Sequence, residues 1–79
     1  MVIHGYTVSD EVKRACFGAM RRAFKKSDIE KAAIQAGAPI SVGEHPFQNG
    51  VADRVADRLI QQERKLGNIK RVTGGWMPA

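Results

Sequence analysis

Val55-Ala56-Asp57-Arg58-Leu59-Ile60-Gln61-Gln62-Glu63-Arg64-Lys65-Leu66-Gly67-Asn68-Ile69-Lys70-Arg71-Val72 changes period in its middle. Up to Leu66 the apolar residues recur every three or four positions, the spacing of a helix with one inward face. Ala52, Val55, Ala56, Leu59, Gln62 or Glu63, and Leu66 make that face. Asp53, Arg54, Asp57, Arg58, Gln61 and Lys65 lie on the outward one. Gly67 supplies the left-handed residue that stops a helix, and Lys65 in the last turn complements its dipole. Ile69-Lys70-Arg71-Val72-Thr73 then reads as a strand. Gly74-Gly75 reads as a hairpin turn, and Trp76-Met77 as the returning strand. Pro78 lacks an N–H and belongs at an edge.

Working towards the N-terminus, the helix is expected to begin near Asn49 or Gly50. Val51-Ala52-Asp53-Arg54 followed by Val55-Ala56-Asp57-Arg58 is a four-residue near-repeat that reflects helical period. Residues 37–49 read as a loop whose Ile40, Val42 and Phe47 tuck onto the core. Before it, Ser27-Asp28-Ile29-Glu30 predicts a capping box that opens a helix running to Ala36, with Ile29, Ala32, Ala33 and Ala36 inward. Gly37 stops it and Pro39 prevents continuation. A further helix is expected from Thr7, with Val8, Val12, Ala15, Cys16, Ala19, Met20 and Ala23 as its apolar stripe and Arg21 and Arg22 in its last turn. Residues 1–6 read as a short arm ahead of one domain over 7–79. The fold class is mainly α: three helices and a small β-hairpin.

Seventy-nine residues hold one small domain and exclude a doubly wound nucleotide-binding fold. The single cysteine, Cys16, excludes an internal disulfide and sits on the inner helical stripe as a core residue. The N-terminus lacks the pattern of a signal peptide and no run is apolar enough to span a membrane, so a cytoplasmic protein is expected. His4, His45 and Cys16 do not have metal-ligand spacing, and no cofactor is expected. No phosphate loop is present, and Asp53 and Asp57, interleaved with Arg54 and Arg58, read as a solvated face. Nothing points to an enzyme or to a small-molecule substrate.

Thirteen Lys and Arg against eight Asp and Glu leave a net charge of +5. The basic residues cluster at 13–26 and 64–79, stretches with no acid. A basic domain of this kind favours polyanions, nucleic acid first.

The chain over about residues 7–77 resembles a winged helix-turn-helix domain of small bacterial or phage regulators. Phe24-Lys25-Lys26-Ser27-Asp28-Ile29 is similar to that family's short first strand entering a capped second helix. Val55 to Val72 resembles its recognition helix, glycine stop and rising wing strand, with Thr73-Gly74-Gly75-Trp76 as the wing tip. The resemblance implies double-stranded DNA binding, in transcriptional regulation or as a recombination accessory, and hence nucleoid association. It implies a third helix in the major groove and a wing on the backbone. Base reading would fall to Gln48, Asn49, Arg54, Arg58 and Gln61, since Arg suits guanine and Asn or Gln suits adenine. Phosphate contacts would fall to Lys25, Lys26, Arg64, Lys70 and Arg71. Asp57 has Arg54 or Gln61 as possible partners; Asp53 would read a cytosine amino group, or both acids simply keep the helix soluble. The alternative function is a protein–protein interaction module, with a homodimer or another protein on the third helix or the wing. RNA binding is a weaker third reading. Trp76 either packs back onto the first helix or projects for stacking.

Overall fold

The structure, a computed structural model, describes residues 2–3, 6–38 and 50–79. The elements run β1 (Val2–Ile3), β2 (Tyr6–Thr7), α1 (Asp10–Ala19), α2 (Lys26–Gln35), α3 (Val51–Lys65), β3 (Ile69–Val72) and β4 (Gly75–Pro78). The expected class, mainly helical with a small C-terminal hairpin, is what the chain adopts. β1 and β2 pair antiparallel, Val2 with Thr7 and Ile3 with Tyr6, a short ladder in place of the expected arm.

That ladder moves the start of α1. Thr7 is a strand residue, and Ser9 is the cap instead, its Oγ accepting from the Val12 N–H at 3.2 Å. Asp10 and Glu11 occupy the first turn, where the helix dipole favours them. α1 ends at Ala19 and Met20 caps it with an N–H bond to Phe17 O, so Arg21 and Arg22 stand beyond the helix, exposed.

α2 also starts earlier than its sequence suggests. Phe24 is held extended by a bridge to Trp76, and Lys25 continues that extension at φ −111° and ψ 164°. The chain therefore turns into helix at Lys26. The acid that reaches back is Asp28, whose Oδ2 accepts from the Lys25 N–H at 2.8 Å. Ser27 lies inside the first turn, and Ser27-to-Glu30 does not form the box. At the other end Gly37 takes φ 111°. Its N–H bonds Ile34 O and the Ala38 N–H bonds Ala33 O, which closes α2 with the two reverse bonds of a Schellman motif. Gly67, at φ 78°, repeats the motif after α3.

α2 packs between α1 and α3. Val12 and Cys16 of α1, Ile29 and Ala33 of α2, and Val51, Val55, Ala56 and Leu59 of α3 form the closed centre, with Val8, Phe24 and Ile69 completing it. Removing a side chain such as Ile29 or Leu59 would cost about 2–5 kcal/mol. Cys16 donates its thiol to Ile29 O at 3.8 Å across α1 and α2. The inward face of α3 differs from its expected form at one end: Ile60 is buried, whereas Gln62 is exposed and Leu66 is 65% exposed. By its last turn the helix has run past the core, and Ile69 on β3 is the next residue to enter it.

The hairpin pairs Ile69 with Pro78, Lys70 with Met77, Arg71 with Trp76 and Val72 with Gly75. The connecting residues are therefore Thr73 and Gly74, one step earlier than the expected Gly74-Gly75, and Gly74 carries the positive φ of 83°. Gly75 is needed for another reason. A Cβ there would run into the Phe24 carbonyl oxygen. Phe24 and Trp76 exchange both main-chain hydrogen bonds at 2.8 Å, which lays Phe24 along β4 and gives the strand order Phe24, β4, β3. Trp76 is thus tied through its main chain to the segment after α1, and its half-buried side chain lies at the edge of the core.

Candidate nucleic-acid interface

α3 leaves one broad face in solvent. Arg54, Asp57, Arg58 and Lys65 are exposed on it, and Gln61 is half-buried. Arg54, Arg58 and Gln61 are spaced by four and three, so they share a stripe. The Arg64 Nε donates to Gln61 Oε1 at 3.0 Å, which orients both side chains towards the hairpin side and leaves the Gln61 amide N–H groups available. Gln48 and Asn49 lie outside the described residues.

Between α3 and the hairpin runs a cleft. One part, of about 360 Å³, is walled by Lys25, Lys26, Asp57, Gln61, Arg71 and Trp76, with Ile60, Gly74 and Gly75 completing its lining. An adjoining part, of about 400 Å³, lies among Gln61, Arg64, Arg71 and Trp76. Phe24 fixes the hairpin wall through its bridge to Trp76, and the exit of the same segment into α2 presents Lys25.

Strand alternation divides the two basic residues of the hairpin. Ile69 and Arg71 share one face of β3, and Lys70 and Val72 the other. Ile69 points into the core, so Arg71 faces the α3 side, where its guanidinium lies 5.2 Å from the centroid of the Trp76 ring. Lys70, opposite Met77, is turned to the outer face of the hairpin. The fold therefore brings Lys25, Gln61, Arg64 and Arg71 to one cleft and leaves Lys70 off it.

Lys26 reaches the cleft but is already paired. Its Nζ lies 2.9 Å from Asp53 Oδ1. Its hydrogen bond to Asp53 raises the Lys26 pKa above its ordinary value, and the same bond lowers that of Asp53. Burial, followed by proximity to Asp53, raises the pKa of Glu30. Asp53 is thus the hub of a Lys26–Asp53–Glu30 cluster that links α2 to α3. Sequence alone places Asp53 on the solvated face of α3 or on a cytosine amino group; its partner in the structure is Lys26, on another element.

Burial pushes the Cys16 thiol up to about 11, so it stays protonated in the core. Among the described residues no helix is long and apolar enough to cross a membrane. Asp57 and Trp76 also wall the cleft, outside the expected base-reading and phosphate-contacting sets; a lone Trp beside a turn is the sequence signal for the second. Set against known protein families, curated proteins and solved structures, the chain matches none.

Proposed function

We propose that this chain is a winged-helix domain that binds double-stranded DNA, with α3 in the major groove and the hairpin along the phosphate backbone, in transcriptional regulation or recombination. The observation that carries the reading is one continuous surface. Arg54, Arg58 and Gln61 stand on the free face of α3, and Lys25, Arg64 and Arg71 gather beside it. The first set has the paired donors that read base edges, and the second has the cations that neutralise phosphates. The bridge from Phe24 to Trp76 supports the winged-helix reading, because it puts the segment expected as the first strand beside the wing. A basic domain binding in this way would sit on the nucleoid.

The test is a salt titration of binding to a labelled duplex, followed by anisotropy. With Lys26 held by Asp53, three or four neutralised phosphates remain, and the slope of log K against log salt is expected at roughly −3 to −4. No measurable binding at about 50 mM salt, where the electrostatic contribution is strong, would sink the proposal and favour a protein partner on the same face.

A further inference from the structure

Asp57 is an acid in the wall of an otherwise basic cleft. It disfavours a phosphate there, yet a carboxylate accepts well from the amino groups on base edges. Beside it are the amide of Gln61 and the Trp76 ring. The chemistry of this wall is that of a base site, with Lys25 and Arg64 at the two ends to hold the flanking backbone.

We propose that the cleft between α3 and the hairpin takes an unpaired nucleobase, stacked on Trp76 and bonded at its edge by Asp57 and Gln61, so that the domain prefers DNA in which a duplex meets a single strand. The proposal rests on the DNA-binding reading above and narrows its substrate. The Arg71 guanidinium now covers the indole at 5.2 Å. An exposed cation over an aromatic ring is worth about 2- to 5-fold in an equilibrium, whereas a stacked base is worth about 5- to 150-fold. The base therefore wins the ring, and Arg71, an exposed side chain on a strand, moves to the adjacent phosphate.

Trp76 is the sole tryptophan of the chain, so its emission reports on this site directly. The experiment compares a blunt duplex with the same duplex carrying a short tail of unpaired dC, at one salt concentration. The tailed duplex is expected to bind at least about 5-fold more tightly and to quench Trp76 emission, which the blunt duplex leaves nearly unchanged. Trp76→Leu should remove the preference. Because Trp76 also contributes to packing, Asp57→Asn provides a surface variant with an opposed signature: affinity for the blunt duplex rises as repulsion is removed, and the advantage of the tail shrinks. Equal binding of both duplexes with unchanged emission overturns the base site and leaves the duplex reading standing. If neither duplex binds, the DNA-binding reading fails and this proposal fails with it.

Discussion

The Asp53 carboxylate at the start of α3 is bonded to the Lys26 ammonium at the start of α2, Nζ to Oδ1 at 2.9 Å. The pair turns an acid that spacing places on the solvated face of α3 into a join between two helices. It also removes one cation from the count available for phosphate. The side chains keep 41% and 24% of their exposure, so solvent screens the interaction and its coupling should stay under about 1 kcal/mol.

The pair makes a prediction about acid stability. The folded pKa of Asp53 is lowered, chiefly by its hydrogen bond to Lys26, so its contribution is present at neutral pH and is lost as pH falls through that lowered value. The folded pKa of Lys26 is raised, again chiefly by that bond, so its contribution holds through neutral pH and is lost only as pH rises through the raised value. The raised pKa of Glu30, caused first by burial, acts with the opposite sign on the acid side: protonating Glu30 relieves a small cost before Asp53 titrates. Denaturant melts across the acid range should show Asp53→Asn with a shallower loss of stability than the parent. An unchanged acid limb would mean that the pair is not formed in solution.

The two adjacent glycines of the hairpin should fail differently. Gly75→Ala drives a Cβ into the Phe24 carbonyl and is expected to cost about 1–3 kcal/mol while parting β4 from Phe24. Gly74→Ala meets open space but must hold φ 83°, for about 1–2 kcal/mol, with the bridge intact. Thermal melts give the costs, and amide exchange at Phe24 and Trp76 separates the mechanisms. Equal protection of those two amides in both variants would contradict the close approach.

Cys16 should be chemically silent. Its thiol is buried, bonded to Ile29 O and pushed up to about 11. A thiol reagent at neutral pH is expected to react only through opening of the core, and quickly once denaturant is added. Rapid reaction of the folded protein would place Cys16 outside the core.

The basic residues should divide by direction. Arg54→Ala and Arg58→Ala are each expected to cost about 1–3 kcal/mol at a preferred duplex and to relax sequence choice. Arg71→Ala should weaken all sequences and reduce the salt slope by about one, while Lys70→Ala, on the far face of the hairpin, should change it less. A larger effect of Lys70→Ala would mean that the DNA backbone follows the outer face of the hairpin.

Much of the fold was legible because local chemistry decides it. Gly37 and Gly67 sit one residue past a helical stripe, and each does take the left-handed conformation that stops the helix. The change of period after Leu66 marks the hairpin. What was not legible depends on contacts between distant residues. Nothing local says which of Gly74 and Gly75 makes the turn; the approach of Phe24 to Gly75 does. Ser27 is a better cap by type than Lys25, but the bridge at Phe24 holds Lys25 extended. The candidate site follows the same division. The α3 stripe could be read from spacing, and strand alternation already separates Lys70 from Arg71, whereas the placement of Arg71 over Trp76 needs their pairing across the hairpin. The capture of Lys26 by Asp53 likewise needs α2 and α3 side by side.

The link between Phe24 and Trp76 also gives the domain an order of opening. Each helix packs mainly on its neighbour in sequence, whereas this link joins residues far apart along the chain. Besides the core contact of Ile69, two main-chain bonds to Phe24 fasten the hairpin to the rest of the domain, and the bond from the Ala79 N–H to Asn68 O closes its open end. β4, half-buried along its length, is expected to open at lower cost than the helices, while Ile69 keeps β3 on the core. When β4 opens, one wall of the cleft leaves with it. The affinity of the cleft for any ligand is then scaled by the fraction of molecules with the hairpin closed, and a ligand held between α3 and Trp76 acts as the clasp that keeps it so.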